Sequence, residues 1–139
     1  MRQSSCELML RYPDLNLTGY RDSWNLRKET RNNLQDPSYD KVVQQIHEFV
    51  EFLRERKAIL KKPTARCGGS YAWKHQVEIF AASRGEHYWI PNGLMIATLR
   101  DLGLPLEPVE DDRLNAKVPF GSKAKRLVSQ LLKEIQCAN

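Results

Sequence analysis

Val42, Val43, Ile46, Phe49, Val50 and Leu53 recur at i, i+1, i+4, i+7, i+8 and i+11, a single apolar stripe with the period of an α-helix. The opposite face carries Lys41, Gln44, Gln45, Glu48, Glu51 and Glu55. Asp36 can cap this helix and Pro37 suits its first turn. Pro63 disfavours helix at the residue before it, so the pattern predicts a helix from about residue 37 to about residue 60. A stripe of this length is stable only when covered, so the remaining chain must supply partners for it.

Those partners are legible. "SYAWKHQVEIFAAS" follows two glycines, Gly68 and Gly69, which suggest a hinge, with Ser70 as a side-chain cap. Trp73, Val77, Phe80 and Ala81 share one face of that helix and are predicted to enter the core. A third helix is predicted over 93–102, capped by Asn92. It is apolar on most sides and ends on Gly103 as the left-handed residue, with Leu104 and Pro105 beyond. Residues 106–118 have the pattern of a small β-hairpin turning at Asp111-Asp112. A last helix from about Ser122 has the stripe Leu127, Val128, Leu131, Leu132 and Ile135. Residues 1–35 show no sustained period and are expected to form an arm or a short helix over about 22–33, docked by Trp24 and Leu26.

The fold class expected is therefore mainly α, a single compact domain of about four helices over 36–139 with a small hairpin. Two consecutive helices, a hairpin and a basic helix follow one another as in a winged helix-turn-helix. The connection "RGEHYWIPN" is longer than the usual three- or four-residue turn, and the second helix has few polar side chains to offer a base. At 139 residues the chain can bury a core without disulfides or metal. Cys6, Cys67 and Cys137 lack a disulfide or zinc spacing, and no metal or cofactor is expected. No apolar run approaches a membrane span, and the N-terminus lacks an apolar signal region, so a cytoplasmic protein with no membrane partner is expected.

Charge is unevenly distributed. The net charge is +5, and Arg54, Arg56, Lys57, Lys61, Lys62 and Arg66 face only one acid, Glu55, within their segment. Lys117, Lys123, Lys125 and Arg126 form a second cluster after the acidic residues Glu107, Glu110, Asp111 and Asp112. Such clusters attract phosphates, and cations at a helix C-terminus also complement its dipole. Tyr88 and Trp89 are candidate stacking surfaces, or loop anchors packed on the core.

Catalytic signatures are lacking: there is no nucleophile elbow, phosphate-binding glycine loop, metalloprotease helix or deaminase motif. Tyr71, Lys74, His75, Glu78 and Asn92 form a candidate polar cluster. His75 is expected to bridge its helix to the loop holding Tyr88 and Asn92. A His75–Glu78 base pair for catalysis and a reactive Cys67 are the enzymatic alternatives.

Ser70, Tyr71, Lys74, His75, Glu78, Asn92, Gly93, Ile96, Ala97 and Gly103, with the pair Asn115-Ala116, resemble the pattern of a small bacterial family carried on integrative and conjugative elements and plasmids. That family has Ser-Tyr-Gly-Leu-Lys-His and Tyr-Val-Ser-Asn-Gly-Ala-Phe-Ile-Ala-Ala stretches. The similarity covers about residues 39–120 and departs at Ala72, Trp73 and Pro91. It implies a mobile-element setting and carries no catalytic residue across. The function expected is a basic, non-catalytic accessory or regulatory protein that binds nucleic acid. The alternative is a protein-binding inhibitor, adaptor or secreted accessory factor; an enzyme ranks third.

Overall fold

The computed structural model describes residues 5–12, 14–16, 19–20, 38–109 and 112–138. The helix expected over about 22–33, with Trp24 and Leu26, lies outside them. The chain forms α1 (Ser5–Arg11), β1 (Leu15–Asn16), β2 (Gly19–Tyr20), α2 (Ser38–Glu55), α3 (Ser70–Ser83), α4 (Asn92–Asp101), β3 (Glu107–Val109), β4 (Asp112–Lys117) and α5 (Ser122–Ala138). The fold is mainly α with a small antiparallel hairpin, β3–β4, as the sequence predicts; α1 and the short β1–β2 pair are additions that the sequence does not mark. No helix among the described residues is long and apolar enough to cross a membrane.

The stripe of α2 is buried throughout: Val42, Val43, Ile46, Phe49, Val50 and Leu53 are all in the core. It meets Trp73, Val77 and Phe80 of α3 and the buried face of α4. α4 is central. Every residue from Asn92 to Leu99 is buried, and Thr98 turns its hydroxyl inward to the Leu94 carbonyl at 2.7 Å. A helix so enclosed cannot enter a DNA groove, so the similarity to a winged helix-turn-helix stops at the order of elements. α5 packs on α3, and its Ala124 and Val128 are buried in the common core. Leu127 and Leu131 are half-buried and Leu132 is exposed, so the helix faces the core on a line slightly to one side of the predicted stripe.

α2 ends at Glu55, about five residues before the end the sequence predicts. Lys57 takes a left-handed φ of 55°. Its N–H donates to the Arg54 carbonyl at 3.0 Å, and the Ala58 N–H donates to the Leu53 carbonyl at 2.9 Å, the two bonds of a Schellman stop. The chain then pairs elsewhere. Ile59 bridges to Phe120, and the Leu60 N–H donates to the Pro119 carbonyl at 2.9 Å. Extended pairing with the segment before α5 thus replaces the last turn and a half of predicted helix. The left-handed position ordinarily takes glycine, as at Gly85 (φ 78°) and Gly103 (φ 79°), which close α3 and α4 with the same two-bond pattern. Lys57→Gly is therefore expected to stabilise the protein by about 0.5–1 kcal/mol, read as a higher denaturation midpoint; a loss of stability would show that Lys57 makes contacts worth more than its backbone strain.

At the hinge that Gly68 and Gly69 suggest, neither glycine takes a left-handed φ. Gly69 is extended, with φ −84° and ψ 169°, and bridges to Lys117, while the Gly68 carbonyl accepts from the Val118 N–H at 3.4 Å. The segment before α3 is a third strand-like run against the end of β4. β3 and β4 pair antiparallel, with Glu107 opposite Lys117, Pro108 opposite Ala116, and an irregularity before Val109 pairs with Asp112.

The described residues of α1 and β1 are part of the packed body. Leu8, Met9 and Leu15 are buried in the common core. Polar ties join this segment to α2 and α4. The Ser5 N–H donates to Asp40 at 2.8 Å, Arg11 and Tyr12 both reach Asp101 at 2.7 and 3.2 Å, and Arg100 holds Asp14 through two bonds at 2.9 and 3.1 Å. Burial, with the hydrogen bond and charge of Asp101, raises the Tyr12 phenol above its ordinary pKa. Burial lowers His47 below its ordinary value, against the opposing pull of Asp101.

Candidate functional site

The start of α3 is organised by a residue far along the chain. Ser70 is not the cap: the first intrahelical bond, Trp73 N–H to the Gly69 carbonyl at 3.1 Å, makes Gly69 the capping position, and it has no side chain. Asn115 of β4 supplies the missing acceptor. Its Oδ1 takes the Tyr71 N–H at 2.9 Å and the Ser70 hydroxyl at 3.2 Å. Ser70 is fully buried, and its oxygen accepts the Ala116 N–H at 3.2 Å. That hydroxyl is therefore a structural joint between α3 and β4. Asn92 likewise sits inside the first turn of α4 rather than capping it, because the Pro91 carbonyl accepts the first bond, from Met95, at 3.0 Å.

Tyr71, Lys74, His75 and Glu78 do come together, on one face of α3. Lys74 is the buried member, only 2% exposed, although the sequence marks it as a polar helix-face residue. Its ammonium lies 3.6 Å from Glu78 Oε2, 4.9 Å from the Tyr71 ring centroid and 5.6 Å from that of Trp89. Glu78 is the hub. Its Oε1 meets His75 Nδ1 at 2.8 Å, and its Oε2 accepts the Ile90 N–H at 2.9 Å. The bridge to the loop is therefore Glu78 and not His75, whose side chain is half exposed and packs edge-on against Tyr71 at 5.1 Å. Helical spacing places His75 and Glu78 one turn apart, and only the path of the loop decides which of them meets a backbone N–H. Asn92 lies two residues beyond Ile90, buried in α4.

Truncating the hub should show the difference. Glu78→Ala would leave the Ile90 N–H and the buried Lys74 ammonium without their acceptor and is expected to cost about 1–3 kcal/mol. His75→Ala should stay within about 0.5 kcal/mol of the parent, as for other surface substitutions. Thermal melts of both variants at pH 7 compare them directly, and equal midpoints would remove Glu78 from the bridging role.

The loop aromatics divide. Tyr88 is half-buried against the core with its hydroxyl on Glu86, and Ile90 is fully buried, so these two anchor the loop. Trp89 between them is 66% exposed. Cys67 is buried, and its sulfur accepts the Thr64 N–H at 3.4 Å, which fits an inert structural thiol.

The basic residues also divide. Arg54 and Arg56 lie beside Glu51 and Glu55 at 4.0 and 3.8 Å, and Arg56 stacks over Phe52 at 3.9 Å, so both have partners on α2. Lys57, Lys61, Lys62 and Arg66 are exposed on the connection from α2 to α3, and Lys123, Lys125 and Arg126 are exposed on the first turns of α5. None of these seven forms an ion pair with a described residue. The bridges Ile59–Phe120 and Gly69–Lys117 set the two segments side by side. Residues 57–69 and 117–126 contain eight cations, including half-buried Lys117, and no acid. This merging of two sequence clusters into one surface, with Lys117 between them, was not visible in either cluster alone; the signal that could have suggested it is the apolar Ile59-Leu60 pair inside the first basic run.

No protein-family model matches the chain, and no curated protein or solved structure matches it.

Proposed function

We propose that the protein binds nucleic acid through its phosphate backbone, as a basic, non-catalytic accessory or regulatory protein. The observation that supports this best is the joined surface of Lys57, Lys61, Lys62, Arg66, Lys117, Lys123, Lys125 and Arg126, whose two segments contain no acid, with Glu107 of β3 at its edge opposite Lys117. Cations gathered on adjoining segments repel one another and gain little from the fold, whereas on a polyanion they neutralise phosphates and release its condensed counterions. The buried state of α4 argues against base reading by a helix in the major groove, so the contacts are expected to be to phosphates. The resemblance of the α3 and α4 segments to the mobile-element family sets this role beside the DNA of a bacterial plasmid or integrative element.

Binding should therefore fall steeply with salt. Each neutralised phosphate contributes a slope of about −0.9 on a log–log plot for duplex and about −0.7 for single strands. Replacing Lys61, Lys62 and Arg66 together with glutamine should reduce that slope by about 2–3 and weaken binding uniformly across sequences. Fluorescence anisotropy with duplex and single-stranded oligonucleotides, titrated at several salt concentrations, measures both. Absence of binding at low salt would overturn the proposal and favour a protein partner for the same surface.

A further inference from the structure

Among the described residues, Trp89 and Tyr71 are the two large aromatic side chains most out of place. Large aromatics are usually well buried, yet these keep 66% and 54% of their surface in solvent. They come from different elements, Tyr71 from the first turn of α3 and Trp89 from the loop before α4, and both rings approach the same ammonium, that of Lys74. We propose that the pair is a stacking platform for an unpaired nucleobase, which makes single-stranded nucleic acid the preferred ligand. This rests on the phosphate-binding role assigned above to the adjoining basic surface.

Both rings have rigid mounts. The Tyr71 backbone is held by Asn115, and its ring packs at 90° against His75, itself bonded to Glu78. On either side of Trp89, Ile90 is buried with its N–H on Glu78, and Tyr88 packs on the core. An exposed ring whose backbone is already fixed loses little freedom when a base stacks on it, which is what favours aromatic platforms over flexible side chains. Lys74 closes the inner side of the pair and is itself unavailable to phosphate, with its charge balanced by Glu78.

The platform also continues the basic surface. Gly69, paired with Lys117, stands two residues before Tyr71, and Arg66 three residues before Gly69. A strand whose phosphates lie along Arg66 and Lys117 is therefore led toward Tyr71, with Trp89 facing the same Lys74 ammonium. In a duplex the bases are already stacked on one another and turned inward, so only a single strand can use both parts. Every base has a π-face, so the preference should be for strandedness rather than sequence.

The test uses the full chain with fluorescein-labelled oligothymidylate, oligouridylate and a duplex of equal length. The parent should bind single strands more tightly than duplex, and exposed Trp89 should give a quench of tryptophan fluorescence on binding. Trp89→Ala should lower the ratio of single-strand to duplex affinity by about 5- to 100-fold, and Trp89→Phe by less. Tyr71→Ala should lower it in the same direction. Comparable loss on the thymidylate and uridylate probes supports a platform blind to the sugar; loss on one of them alone identifies DNA or RNA as the ligand and still supports stacking. An unchanged ratio in both alanine variants, with salt-dependent binding intact, would overturn the platform and leave the phosphate surface standing. Failure of the parent to bind any probe would overturn the phosphate surface itself.

Discussion

Phe49→Ala is expected to remove about 3–5 kcal/mol of stability, the largest single loss we foresee. Phe49 is completely buried in the middle of α2, and three aromatic rings converge on it: Phe80 of α3 at 5.5 Å, Phe120 before α5 at 5.8 Å, both edge-on, and Trp73 at 6.3 Å. Trp73 and Phe120 also touch each other at 5.1 Å, so the four rings form a closed cluster. Removing the central ring deletes its transfer free energy and leaves a cavity that its stiff aromatic neighbours can collapse into only partly. For a domain of this size the melting temperature should fall on the order of 10 °C or more. Phe49→Leu, which retains more of the volume, should cost clearly less. A loss below about 1.5 kcal/mol for the alanine variant in a denaturant melt would show that these rings do not form one shared core.

The second large effect lies where the sequence offers least guidance. Leu8→Ala should cost about 2–5 kcal/mol, because Leu8 is fully buried between α1 and the central helices. A residue on a solvated arm would tolerate the same change within about 0.5 kcal/mol. The polar ties around it are weaker evidence, since exposed pairs such as Arg11–Asp101 contribute at most about 1 kcal/mol each. Urea unfolding of parent and variant measures the difference; an unchanged midpoint would return residues 5–16 to the status of an arm.

Much of the fold was legible. The stripes of α2 and α3 named the buried residues, and the Gly103-Leu104 stop of α4 forms as predicted, with N–H groups donating to Arg100 and Leu99 at 3.0 and 3.2 Å. The hairpin over 107–117 was also foreseen. The candidate site was less legible. Its four α3 members are neighbours by helical spacing alone, but their roles came out exchanged: Lys74, a charged residue, is buried, His75 is exposed, and Glu78 carries the bridge. An ammonium stem can bury its methylenes whenever a carboxylate and aromatic rings meet its tip, and periodicity treats it only as polar.

The sequence by itself determined that α2 to α5 are helical, which of their faces are apolar and where several of them stop, because each of these depends on residues within one or two turns of one another; it did not mark α1. The tertiary structure alone decided the rest. It ended α2 early by pairing Ile59 with Phe120, capped α3 with Asn115 from 44 residues away, docked α1 on the core, and joined two basic segments into one surface. Contacts of this kind close long loops, and their entropic cost is met only once the common core has formed. Short-range patterns therefore hold no record of which distant partner will be chosen.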